Sequence, residues 1–358
     1  MRIAFDVSPL SHERTGVNNY IRGSLQGITA VAREEGVEVV AFAPTSTQGR
    51  EMIAEALAGI PVELRLKTFL FAHAVRTAWS RLGRPPAERW LGPFDVLHFT
   101  DWMYPPLRGG LRATMIHDLV PLHFPQWVTP RTRSMHTHKY RNAARSCGVI
   151  FTNSAFTADD VAATLGFPRE RIVVAHPGIG AEFRPEGQVA DLGSPYALTV
   201  ATLEPRKNLG TLVDAWRFLA DTGLALAVVG GEGWGEQPQL DRPGVLRLGR
   251  VDDEDLAALY RGARVVVYPS RFEGFGMPIT EAMAAGAPVV ASAHPSLDEA
   301  CGDAALRADP ESAEDFAAAI RTALKRRDEL RWKGFAHAAG FSWRRNGECH
   351  IEGYRRFS

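Results

Sequence analysis

Short apolar runs alternate with longer, alanine-rich amphipathic stretches from one end of the chain to the other. The first series of runs covers residues 3–7, 37–43, 96–99, 113–116 and 149–152. A second covers 196–202, 224–229, 245–248, 265–268 and 288–291. They are too short for helices and too continuously apolar for strands with one wet face. Such runs suit strands covered by helices on both sides, so the chain is expected to be α/β with parallel sheets. Helix signals fall between the runs. Ser154 can cap a helix over 155–165, Asp252 and Asp255 frame the start of one over 253–262, and Pro278 and Gly286 bracket another. The two series are parted by a Gly- and Pro-rich stretch from Pro177 to Pro195 that reads as a linker. The expected organisation is two doubly wound domains, 1–180 and 190–340, with a further helix over 341–358.

Composition narrows the chemistry. At 358 residues the chain is long enough for two cores. Lysine plus arginine equals aspartate plus glutamate, 41 each, so no global field attracts nucleic acid and an anion must be caught locally. Three dispersed cysteines show no metal-ligand spacing and read as reduced thiols, and no metal site is expected. The first residues look like a strand rather than a signal peptide, and no apolar run reaches membrane-spanning length. The protein is expected to stay in the cytoplasm.

In doubly wound sheets the ligand-binding residues follow the carboxyl ends of strands. After 265–268 comes Ser270-Arg271-Phe272-Glu273-Gly274-Phe275-Gly276-Met277-Pro278, then a helix carrying Glu281 in its first turn. The glycines admit close backbone approach, and the helix start suits a phosphate. Each carboxylate can accept hydrogen bonds from vicinal sugar hydroxyls. After 196–202 comes Glu204-Pro205-Arg206-Lys207-Asn208. Two cations at a helix start oppose its dipole by ~0.3–1 kcal/mol each, a cost that a bound diphosphate reverses. A capped helix and a solvated pair of cations are the plainer accounts of the two segments.

These segments, together with Thr15-Gly16-Val17 and Ile116-His117-Asp118-Leu119, resemble the retaining glycosyltransferases of family four, most closely a bacterial mannosyltransferase-like branch. The resemblance runs over nearly the whole chain. It implies the GT-B fold, two Rossmann-like domains facing across a cleft with the helix over 341–358 returning to the first, and a nucleotide diphosphate sugar as donor substrate with no other cofactor. It also implies residue roles. Arg206 and Lys207 would hold the diphosphate and Glu281 the ribose. Glu273 would bind the transferred sugar, helped by the backbone N–H groups of Phe275, Gly276 and Met277. Gly16, on the loop after the first strand, would admit the donor phosphate, His117 would reach the donor sugar, and the base would lie near Val251. GDP-mannose is the favoured donor, a glycan or lipid-linked molecule the acceptor. A nucleotide-sugar 2-epimerase of the same fold and an inactive nucleotide-binding protein are the alternatives.

One further segment stands out. Arg65 to Gly92 holds six cations against the single acid Glu88, interleaved with Phe69, Phe71, Trp79 and Trp90. The stretch from Arg131 to Arg145 adds five more cations and no acid. Contact with an anionic membrane is one reading, and a solvated basic face over a buried aromatic one is the other.

Overall fold

Each apolar run folds as a strand of a parallel sheet in the computed structural model, which describes residues 1–358 apart from 14, 101–103, 234 and 236–238. The first sheet has seven strands: β1 (Arg2–Asp6), β2 (Glu38–Thr45), β3 (Glu63–Thr68), β4 (Val96–Phe99), β5 (Leu111–Ile116), β6 (Val149–Thr152) and β7 (Ile172–Val174). Their order is β3-β2-β1-β4-β5-β6-β7. The second has six: β8 (Tyr196–Val200), β9 (Ala225–Val229), β10 (Val245–Gly249), β11 (Val265–Tyr268), β12 (Val289–Ser292) and β13 (Ala305–Ala308), ordered β10-β9-β8-β11-β12-β13. Ile3 lies opposite Val39 on one side and Val96 on the other, and Val265 lies opposite Ala197, all in parallel register. Both sheets reverse direction once, between β1 and β4 and between β8 and β11. Such a reversal opens a crevice at the carboxyl edge.

The chain divides into two compact units. One comprises Met1–His123, Thr129–Gly178 and Ser342–Ser358, the other Phe124–Val128 and Ile179–Phe341. In the first, Ile3 and Phe5 of β1 pack with Ile21, Leu25 and Ile28 of the helix Gly16–Glu34. Each such side chain contributes about 1.5–3 kcal/mol on burial. In the second, Leu198, Val266 and Val289 pack with Ile279 and Tyr260.

The last helix, Trp343–Phe357, is part of the first unit. Ser342 caps it by accepting from the Arg345 N–H at 3.2 Å. It lies so close to Gly16–Glu34 that a side-chain carbon at Gly27 would collide with the backbone of Trp343. Asn346 donates to the carbonyl of His176 at 2.8 Å, and the Tyr354 hydroxyl meets His98 Nδ1 at 2.7 Å within the buried core. From Ile179 on, the stretch read as a linker is packed on the second unit. Phe183 is buried against Tyr260, and the Ala190 N–H donates to the Ala258 carbonyl at 3.0 Å.

Three strands escape the sequence pattern, and all lie at sheet edges. β3 reads Glu-Leu-Arg-Leu-Lys-Thr and stays half exposed, β7 has three residues, and β13 pairs with β12 alone. Among the described residues no helix is long and apolar enough to cross a membrane.

Candidate active site

The crevice between β8 and β11 gathers Glu204, Arg206, Lys207 and Glu273 of the second unit. The segment after β8 makes a three-residue turn, Pro205–Lys207, and then Asn208 takes a left-handed conformation at φ 57°. Asn208 sustains it by donating from Nδ2 to the carbonyls of Pro269 and Pro310, at 3.1 and 2.6 Å. The helix Leu209–Ala215 starts only after this residue, so Arg206 and Lys207 precede it rather than sit in its first turn.

Both cations converge on Glu273. Arg206 Nη1 donates to Glu273 Oε2 at 2.6 Å and Lys207 Nζ to Oε1 at 2.7 Å. Arg206 also pairs with Glu204 at 2.9 Å, and Lys207 donates to the Tyr268 hydroxyl at 3.1 Å. Lys207 is 9% exposed and Glu273 6%, so the pair is not the solvent-exposed loop that two adjacent cations suggest. Burial alone would raise the Glu273 carboxyl, but Arg206 and then Lys207 outweigh it and bring it from 4.5 to about 2. Lys207 is pulled down by burial and by Arg206, yet the acids around it win and its pKa rises.

Two supports of this cluster went unread in the sequence. The Glu273 N–H donates to Ser296 Oγ at 3.1 Å, and Ser296 Oγ lies 2.8 Å from His294 Nδ1. Both residues follow β12, so the strand-end rule would have found them. Ser270 Oγ, at the mouth of β11, is buried without a partner among the described residues.

The Gly-Phe-Gly turn leads into the helix Met277–Ala284. Gly276 caps it at φ 100°, a conformation that favours glycine. The backbone of Phe275, Gly276 and Met277 thus leads into a helix N-terminus, where the first amides have no partner within the helix. The Phe275 side chain is buried against Phe341. Glu281 is the fifth residue of this helix, so it sits in the second turn, not the first. It is buried, with the Tyr260 hydroxyl 3.4 Å from Oε2. Val251, half buried against the core, joins β10 to the helix Asp253–Gly262, which Asp252 caps.

In the first unit, Gly16 is the opening residue of a helix rather than part of a loop. The loop after β1 is taken up by the turn Ser8–Ser11. A side-chain carbon at Gly16 would meet open space. His117 follows β5, edge-on to Tyr20 at 5.0 Å, with Nε2 buried and unpartnered among the described residues. Burial, then the charges of Lys139 and His136, lowers its pKa to about 3, so the imidazole is neutral at ordinary pH. The neighbouring Asp118 accepts the Val120 N–H on Oδ1 at 3.0 Å.

The basic aromatic segment turns three of its four aromatics at least partly inward and leaves Phe71 exposed. Trp79 is buried and packs on Trp90 at 4.6 Å, and Arg76 is buried beside His12. What faces outward is apolar and basic: Leu70 is 95% exposed, with Phe71, Leu82, Arg81 and Arg84 exposed nearby in sequence.

Two parallel-sheet units with cations and carboxylates gathered at a strand reversal match known proteins along their length. Residues 16–183 match the family described as Glycosyltransferase Family 4, and residues 194–326 match Glycosyl transferases group 1. The O-antigen chain mannosyltransferase B of Escherichia coli is 31% identical across 99% of this chain and 100% of its own length. The chain belongs to glycosyltransferase family four. A D-inositol 3-phosphate glycosyltransferase of Nocardia farcinica is 36% identical over 76% of this chain and 68% of its own. Among solved structures, the sucrose-phosphate synthase of Thermosynechococcus elongatus aligns with a TM-score of 0.71 at 18% identity, covering 99% of this chain and 98% of that one. Anabaena HepE, solved with UDP and glucose, aligns at 0.70 and 16%, covering 98% of each. At such identity these structures speak for the fold, which is GT-B.

Proposed function

We propose that this glycosyltransferase moves a hexose, with GDP-mannose the favoured donor, to a hydroxyl of a glycan or lipid-linked acceptor in cell-surface polysaccharide or glycoconjugate synthesis. The observation that carries the reading is the convergence of Arg206 and Lys207 on Glu273 at the strand reversal of the second sheet. Two like charges are held side by side by Glu273, with Glu204 pairing Arg206 as well. A diphosphate brings more charge and more acceptor oxygens, so it can take over both cations and leave Glu273 to accept hydrogen bonds from the sugar. The full-length likeness to a mannosyltransferase favours mannose.

In this reading the protein supplies the positive charge for the departing diphosphate, through Arg206, Lys207 and the helix start at Met277, and needs no metal or other cofactor. Glu281 takes the ribose hydroxyls, and Gly16 gives the donor phosphate close backbone approach. The neutral His117 offers Nε2 to a sugar hydroxyl. The sugar keeps its α configuration, as the family likeness implies. The exposed Leu70, Phe71 and Leu82 among Arg81 and Arg84 support peripheral contact with an anionic membrane from the cytoplasmic side. Phosphatidylglycerol vesicles should pull down the protein, and Leu70→Ser/Phe71→Ser should weaken this. Equal sedimentation of the two proteins would remove that contact.

A thermal-shift panel of GDP, UDP, ADP and dTDP tests the donor. A ligand at 100 times its Kd adds ~2.7 kcal/mol, and GDP should give the largest shift. A larger response to UDP would reassign the donor, and no response to any of the four would overturn the nucleotide-sugar reading.

A further inference from the structure

The amino-terminal edge of the first sheet carries a groove that the donor chemistry does not use. Its volume is about 770 Å³, in the range of small-molecule sites, and Phe94, Arg112, Arg145, Arg171, Phe357 and Ser358 are among its walls. Arg112 is the second residue of β5, Arg171 directly precedes β7, and Arg145 lies in the last turn of the helix Pro130–Ser146. In a parallel sheet all strands start at one edge. The groove is therefore at the opposite edge from Gly16 and His117, which follow strand ends.

Two of the three guanidinium groups are held from behind. Arg112 donates from Nη1 to the Pro105 carbonyl at 2.9 Å and stacks 4.4 Å over the Tyr104 ring. Arg171 donates from Nε to the Gly148 carbonyl at 2.8 Å and lies 5.8 Å over Phe167. Among the described residues none of the three has a carboxylate partner. The single acidic side chain among the groove's walls, Asp95, accepts the Arg2 N–H at 2.7 Å and pairs with none of the three. Cys147 does not supply an anion either. Burial lifts its thiol to about 12 against the pull of Arg112, Lys139 and Arg171. The helices Pro130–Ser146 and Trp343–Phe357 both end here, and helix ends favour cations. One arginine for each would meet that demand. Three exceed it.

The geometry points to a second anion site: this groove takes a phosphate-bearing small molecule, its phosphate on Arg112, Arg145 and Arg171 and its apolar or planar part against Phe94 and Phe357. Fixed guanidinium forks match phosphate oxygens in geometry and charge. The phosphate could belong to a soluble metabolite or to a lipid headgroup, and the groove chemistry is the same for both.

The test is calorimetric titration of inorganic pyrophosphate into the full-length protein saturated with GDP, so that any diphosphate site in the second unit is filled. Arg145→Glu is the main variant, because Arg145 is exposed and its replacement leaves the core untouched. Arg112→Met is the second. Pyrophosphate should bind the wild type, and each variant should bind at least about ten-fold more weakly. No binding to the wild type up to about 10 mM, or equal binding by the wild type and Arg145→Glu, would overturn the site. Should GDP itself not bind, the donor reading fails, and the same comparison without GDP still decides this one. Phosphatidylglycerol vesicles separate the sources. Sedimentation weakened by Arg145→Glu assigns the phosphate to a lipid, and sedimentation indifferent to it, with pyrophosphate bound, assigns it to a soluble molecule.

Discussion

Replacing Lys207 by methionine should destabilise the second unit as well as impair donor binding. The ammonium is 2.7 Å from Glu273 Oε1, and both side chains are about a tenth exposed or less. Solvent therefore screens little of their attraction. Removing one partner of a buried pair costs about 3–5 kcal/mol, because the other charge is left without compensation. Here Arg206 stays 2.6 Å from Oε2, which places the loss at the lower end, about 3 kcal/mol. For a unit of about 170 residues that is a fall of roughly 6–12 °C in its melting transition. Methionine fills the lysine stem's volume, so a cavity adds little. Differential scanning calorimetry of wild type, Lys207→Met, Glu273→Met and the double variant closes a cycle. The double variant should lose clearly less than the sum of the singles, since it leaves no unpaired carboxylate. A Lys207→Met unit melting within a degree or two of wild type would refute the argument, and additive losses would show that the contact carries no coupling.

Acid should weaken the same unit. Glu273 is depressed from 4.5 to about 2 in the fold, so its contribution is present above pH 4.5 and is lost as pH falls towards 2. That is about 3 kcal/mol, which Glu273→Gln should remove from the urea-melt pH profile. His117→Ala should lower kcat/KM at least about ten-fold while changing stability by no more than about 1–2 kcal/mol, and unchanged kinetics would take His117 out of the site. The wild-type rate should show no limb from His117 near pH 6–7, because its imidazole is neutral down to about 3. Activity should survive EDTA, and complete loss restored by Mg²⁺ or Mn²⁺ would replace the cation pair with a metal. The first product should be α-linked by NMR coupling, and a β linkage would end the retaining assignment.

The sheets were legible because their central strands are buried on both faces and so nearly all apolar; Val265 to Val267 and Val149 to Phe151 could hardly be anything else. The edge strands β3 and β13 carry no such signature, since one flank faces water and the chain there needs no continuous apolar run, and β7, though apolar, is only three residues long. Helix ends were legible where a side chain makes the cap, as at Ser154 and Asp252. Where the backbone decides, local pattern was not enough. The left-handed Asn208 delays a helix, and the start at Met277 moves Glu281 into the second turn. The burial of Trp79 and Arg76 was hidden for a different reason, because an amphipathic helix does not announce which of its faces is inside.

The pairing of Lys207 with Glu273 lay beyond any local pattern, because 66 residues separate them. Topology supplies what spacing cannot. β8 and β11 are neighbours only because the strand order reverses between them, and this places the loops that follow them side by side. Each loop alone has a bland reading, a basic helix start in one and an acidic one in the other. Brought together and buried, each would be costly without its counterpart, and Ser296 and Tyr268 are there to satisfy the remaining hydrogen bonds. A core needing only stability would do as well with apolar residues in these positions. A cluster that keeps four charges at the mouth of two strands, in a chain of this family, supports the proposed reading of a ligand whose own charge exchanges with Glu273.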